Sequence, residues 1–512
     1  MVLLCISADI GIGVTETSGE VRTYGGWRRK RGLGLFGLDQ VEMGVAFVVL
    51  AVFFWVLVSF RVILIPMAIV TAIVIASLIR IDGLPLWSIV KQELKLIMSA
   101  AQGGGQFVSG YFSNYAQGSG ANLPGALAPT RTFEITTDSG SSYGVVYNDA
   151  LEHATATWRV HPHTPHLADQ AQVDTWVASW HQFLASLGYI DQISHVAVTV
   201  ATATEPGAVV AENLMASRAA NAPALAKGLL DELARRETDG TTVSSTYISV
   251  TFDTRYGPAG REKNAGTRIE HVTGLIRAMN RDIRTSGLAS ATLLSVPELS
   301  AVTKGAFVPS LRKPLVGALR RGQTGPLQWH ISGPGKAESN RFYYRHDNAI
   351  TTAWTMREAP RGHVTEDVLY NLMAPGTFPK RVTWMWNPTK ADDAARILET
   401  ERTLSEARRL VRDRGLRDET ARDEYDRQMT DMAAADEARG AGLGDFTILV
   451  TNTIEVSPEI TEDQINSLID QVTVEVESRA KQARMLLRPA FGYHDLVLFS
   501  TLPAGINPVK VG

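Results

Sequence analysis

Polar and apolar positions along this chain fall into three regimes. The first is almost purely apolar. Met43 to Phe60 is interrupted only by Ser59, and Val62 to Ile79 only by Thr71 and Ser77, with Arg61 between them. As a helix, each half of about 18 residues would span roughly 27 Å, close to the hydrocarbon thickness of a bilayer. One continuous helix would be about 55 Å long and would hold Arg61 near mid-membrane, at a cost of roughly 2.5 kcal/mol or more. The pattern therefore predicts a two-helix transmembrane hairpin over 41–80, with Arg61 at the far interface and Pro66 in the first turn of the second span. Ala68, Ala72 and Ala76 form a small-residue stripe suited to close helix packing, against the first span or against another membrane protein.

In the second regime strand-like and helix-like periods alternate. Leu86, Trp87, Val90, Leu94 and Ile97 recur at helical spacing, which predicts a helix lying on the membrane surface. A Gly/Ser/Asn-rich linker follows, and the two make up 81–130. Residues 131–389 then read as a mixed body. TRTFEITT, SYGVVYN and ATATWRVH have strand character. Val173, Trp176, Trp180, Phe183 and Leu187 mark one face of a helix over 167–187. HVAVTVATAT reads as a buried strand, 207–236 as Ala-rich helix and TTVSSTYISVTFDT as a strand. A helix ending at Gly287 comes next. RFYYRHD, AITTAWTM and KRVTWMWN are expected strands, and Trp384-Met385-Trp386 reads as core or, alternatively, as a contact surface. Residues 441–512 read as strand, helix and terminal strand (LVLFSTLPAG), with Ser457 or Thr461 capping the helix. The fold class expected is α+β.

The third regime, 390–440, is dense in charges of both signs and has no proline. Asp413/Arg417, Asp418/Arg422 and Asp423/Arg427 sit four apart. Ile397, Leu404 and Val411 repeat at seven, and Tyr425, Met429 and Met432 form a second stripe. Gly415 lies between the stripes. The pattern predicts two helices in an antiparallel hairpin standing off the body. Its stripes either bury each other or meet a partner.

Charge fixes the orientation. Arg28, Arg29, Lys30 and Arg31 precede the apolar run beside Trp27, Arg80 and Trp87 flank it downstream, and the turn holds only Arg61. These residues form a basic and aromatic collar for anionic headgroups. The positive-inside rule places both termini in the cytoplasm, with residues 1–40 as a cytoplasmic segment of a multi-pass cell-membrane protein. MVLLCISADIGIGV lacks the basic lead of a signal peptide. Net charge is −3 over 512 residues, so composition carries no nucleic-acid footprint, and the single cysteine, Cys5, excludes an internal disulfide framework.

Candidate chemistry is sparse. Gly32, Gly34 and Gly37 match GxGxxG, but between basic residues and an apolar span rather than between a strand and a soluble helix. Gly333-Pro334-Gly335-Lys336 lacks the spacing and the Ser/Thr of a phosphate loop. His161, His163 and His166 are the leading metal candidates, yet the intervening prolines hold them extended, which suits a strand-to-helix connection instead. No catalytic residue, cofactor or metal site is assigned, and ATP binding through a phosphate loop is not expected.

From YGGWRRKRGLGLFGL through the hairpin to IDGLPLWSIV, the chain resembles actinobacterial membrane proteins of conjugation-like loci and is similar to PrgI-type two-span proteins of type IV secretion. WVASWHQFLASLGYI, the charged hairpin and FTILVTNTIEV…LVLFSTLPAG resemble the N-terminal, non-motor domain of conjugative secretion ATPases. The motor domain with its phosphate loop is missing. The resemblance implies a structural or adaptor subunit, not an enzyme. Its implied partners are the lipid bilayer, other secretion-system membrane subunits in an oligomeric complex and a separate motor ATPase, with no direct nucleic-acid contact. An EccE-like component of type VII secretion is the alternative within secretion. A membrane-anchored enzyme with an unrecognised site is the alternative of another class.

Overall fold

Strict alternation along the body produces a sheet whose two faces differ in chemistry. In this computed structural model the described residues are 80–81, 84–85, 105–109, 123–137, 140–163, 168–205, 222–236, 241–262, 264–325, 327–360, 364–390 and 442–508, with separate positions between 392 and 403. The chain is mixed α/β, built on a large antiparallel sheet.

A short ribbon comes first, β1 (Arg80–Ile81) against β2 (Leu84–Pro85), with Arg80 opposite Pro85. The Asp-Gly dipeptide between them is a strong hairpin signal; the surface helix expected from Leu86 to Ile97 lies outside the described residues. Strands β3 (Gln106–Val108), β4 (Thr130–Thr136), β5 (Ser142–Asn148) and β6 (His153–Pro162) precede helix α1 (Gln170–Leu187). Then come β7 (Ile193–Glu205), α2 (Ala224–Arg236), β8 (Thr241–Asp253), α3 (Ala265–Thr285), β9 (Leu288–Leu293), α4 (Val296–Phe307) and α5 (Arg312–Arg320). The second half holds β10 (Lys336–Ser339), β11 (Tyr344–His346), β12 (Ala349–Glu358), α6 (Tyr370–Met373), β13 (Lys380–Pro388), β14 (Gly444–Glu455), α7 (Glu462–Gln482), β15 (Leu486–Pro489) and α8 (His494–Ser500).

The strand order is β3-β10-β11-β12-β14-β13-β7-β8-β6-β5-β4, with β9 added beside β6 and β15 beside β12. From the central β7·β13 pair the order reads alike in both directions. On one side it runs β7, β8, β6 and then β9 with β5; on the other it runs β13, β14, β12 and then β15 with β11. Each half is therefore a β-α-β-β-α-β unit with order 4-1-3-2. The parallel extends to detail. Helices α3 and α7 are each 21 residues long. Gly287 follows the first with φ +82°, and Arg484 follows the second with φ +54°. At the junction Thr199 and Thr383 face each other in register, their hydroxyls 2.8 Å apart.

One face of the sheet carries the large apolar positions. Val198, Ile248, Val250, Trp384, Trp386 and Ile448 pack there beneath α1, α3 and α7. Trp384, Met385 and Trp386 are fully buried, so they belong to the core and not to a contact surface. The opposite face is hydroxyl-rich. Thr155 pairs with Thr251 at 3.0 Å, Thr157 with Ser249 at 2.9 Å and Thr351 with Thr453 at 2.9 Å. Helices α4 and α8 cover it through Leu299, Phe307, Leu498 and Phe499. The chain after α8 presses closely on this face. A Cβ on Gly505, at φ +65°, would lie 1.9 Å from the Thr155 hydroxyl, so only glycine fits.

The terminal segment corrects an expectation. LVLFSTLPAG was expected as a strand, but His494–Ser500 is helical and the chain then turns. A short apolar run does not distinguish a buried strand from a buried helix. Here neither side of β12 is open to an added strand, because β14 pairs it on one side and β11 and β15 on the other. Thr461, not Ser457, caps α7, through a capping box with Gln464. Among the described residues no helix is long and apolar enough to cross a membrane. The 41–79 run lies outside them, as do Ala68, Ala72, Ala76, Trp27, Arg28, Arg29, Lys30, Arg31 and Trp87.

Candidate functional site

Two places combine exposed chain with defined geometry: the root of the charged arm, and a basic cleft on the hydroxyl-rich face.

The arm interrupts two strands that pair to their ends, Pro388 opposite Gly444. Beyond that pair the Thr389 N–H donates to the Leu443 carbonyl at 2.8 Å, which closes the base. Lys390 fixes the outgoing strand, with Nζ 3.4 Å from Asp191 and 4.3 Å above the Tyr256 ring. Ala394 is buried, and Ile397 lies half-buried in a helical stretch. The return path is tight. A Cβ on Gly442 would come 2.6 Å from Ala185 Cα. Leu404, Val411, Tyr425, Met429 and Met432 lie outside the described residues, so of the two stripes only Ile397 is placed.

The cleft encloses about 820 Å³ between the sheet and α4–α5. Its floor carries Thr202, Ser245, Tyr247 and Arg381, and its wall carries Arg312, Lys313, Arg320 and Arg321. Several local choices build it. Gly305 on α4 leaves room for the Arg312 stem, whose Cγ lies 2.7 Å from where a Cβ would stand. The Ser310 N–H donates to Glu455 at 2.6 Å and ties the α4–α5 turn to the end of β14. Arg381 donates from one terminal nitrogen to the Thr501 carbonyl at 2.9 Å, while its buried Nε has no hydrogen-bond partner. Burial pulls the Arg381 pKa down to about 10, and Arg312 adds to the effect. Glu298, the only carboxylate among the described lining residues, is engaged by Arg159 at 3.0 Å. An excess of cations over a mostly apolar wall suits anion binding.

The sequence marked the arm at 390–440 but not the cleft. Of its metal candidates, His161 lies in β6, His163 stacks on Trp176 at 4.4 Å, and His166 is outside the described residues. No group of three metal-ligating side chains occurs among the described residues. At Gly333–Lys336 the amides of Gly335 and Lys336 both donate to Asp347 Oδ1, at 2.8 and 3.0 Å. Those donors are therefore committed within the fold and do not cradle a phosphate. The cleft's own signal was the RKPLVGALRR run, whose cations flank an apolar centre.

No family model matches the chain, and no curated protein matches it.

Proposed function

We propose that this chain is a membrane-anchored adaptor subunit of a type IV-like secretion or conjugation apparatus, and that the 390–440 arm docks a separate motor ATPase. The 41–79 hairpin anchors it, with Trp27, Arg28–Arg31, Arg80 and Trp87 at the inner headgroups, and the duplicated body lies on the cytoplasmic side. The observation that carries this reading is the closed base of the arm. A segment dense in charge and striped with apolar residues leaves the body between two paired strands, held by Thr389, Leu443 and the Lys390–Asp191 pair. The strands pair fully up to the base, which leaves the arm available for a partner. Mixed charge around apolar stripes favours one partner and rejects others, because wrong pairings leave charges unmatched.

The test is to replace 398–440 by a short Gly/Ser linker in the full chain. Motor ATPase recovered with the chain from solubilised membranes should fall sharply, with the body still folded. Equal recovery with and without the arm would reject the proposal. The basic cleft favours a second reading, a membrane-anchored protein whose primary role is small-molecule binding or turnover; retention of function by the armless chain would support it.

A further inference from the structure

We infer that the cleft between α4–α5 and the sheet is a binding site for a phosphate ester with an apolar body. The inference goes beyond the adaptor role and does not depend on it.

Arg312, Arg321 and Arg381 line one cavity, and Glu298, the described carboxylate there, is already held by Arg159. Such an excess of positive charge is costly without a counter-anion, and a phosphate supplies several acceptor oxygens at once. The coordination of Arg381 is unfinished. Its Nε is buried with no partner, although buried donors are normally satisfied. Burial also lowers the pKa of this guanidinium.

Helix α5 is amphipathic, yet none of its residues is buried, and Val316 is 46% exposed. Leu315, Val316 and Leu319 line the cleft beside Val243, Ala301 and Val302. A bare phosphate would leave this wall uncovered. The volume lies within the range of about 300–1,000 Å³ found for small-molecule sites. Helices α4 and α8 occupy corresponding places in the two halves, but α4 leads into α5, whereas α8 leads into the turn carrying Gly505. The cleft is therefore an addition to the first half and is not generated by the repeat.

Two sources share this chemistry: a soluble phosphorylated metabolite and an anionic phospholipid headgroup. The test is calorimetric titration of the full chain in a non-ionic detergent, with phenyl phosphate, inorganic phosphate and dihexanoyl phosphatidylglycerol as probes. Phenyl phosphate should bind, and about tenfold or more tighter than inorganic phosphate. Arg381→Gln and the surface pair Arg320→Gln/Arg321→Gln should each weaken it about tenfold or more. If Arg381→Gln unfolds, the surface pair decides, since α5 carries no buried residue. Displacement of phenyl phosphate by dihexanoyl phosphatidylglycerol would assign the lipid source, and its failure to compete would assign a soluble ester. The inference is overturned if phenyl phosphate does not bind the intact chain, if inorganic phosphate binds as tightly, or if the surface pair binds as well as the parent.

Discussion

Arg484 shows how closely the two halves correspond and where they differ. It occupies the left-handed position after α7 that Gly287 occupies after α3. A side chain there costs about 1–2 kcal/mol relative to an unstrained residue, and glycine avoids most of it. Arg484→Gly should therefore raise stability by about 1 kcal/mol, read as a higher urea midpoint with unchanged slope. Two buried histidines make a different demand. Burial lowers the pKa of His346 to about 3 and that of His494 to about 4. His346 shares a hydrogen bond of 2.7 Å with the Thr351 hydroxyl, and His494 Nδ1 accepts from the Ala353 N–H at 3.0 Å. Both stay neutral when folded, whereas in the unfolded chain they take up protons near pH 6.5. Their contribution is present above pH 6.5 and is lost as pH falls towards 4 and then 3. Denaturation midpoints should drop steadily from pH 7 to 4.5, and His346→Gln should make that slope shallower; an unchanged slope would show that His346 does not set it.

At the scale of elements, the arm makes the clearest forecast. Its base is closed by Thr389 and Leu443, so excision of 398–440 should leave the melting temperature of the body nearly unchanged. A large fall would show that the arm is part of the core. Much of the rest was legible because it depends on period. Ile248, Val250 and Phe252 alternate with Tyr247, Ser249 and Thr251, and such alternation marks a strand whatever its partners. The misread element was α8, where four adjacent apolar residues suit either structure and only the occupied edges of β12 decide. The cleft was obscured for a related reason. Its floor of threonine, serine and tyrosine matches no motif, and only the packing of α4 and α5 over the sheet makes it a cleft. Arg381 stood in a strand beside Val382 and Trp384, with no local sign that its Nε would be left without a partner.

At the scale of the whole molecule, the duplication escaped notice because it survives in order and length rather than in residue identity. Trp384 and Trp386 pair across the junction with Val198 and Val196, so equivalent positions need only be apolar. The β7–β8 and β13–β14 connections occupy corresponding places in the two units, which makes 206–240 and 389–443 insertions into one scaffold. Membrane topology is tested separately. Ser467 is exposed on α7, so in a Cys5→Ser background Ser467→Cys should resist an impermeant thiol reagent in intact cells, as should Ser18→Cys. Labelling of Ser467→Cys before lysis would place the body outside. The central claim is that the arm touches a motor, and a photo-crosslinking residue at Leu404 or Met429, used in cells that assemble the complex, tests it most directly. The account predicts adducts with a second protein that carries a phosphate-loop ATPase domain; adducts confined to this chain would show that the stripes bury each other and would contradict the claim.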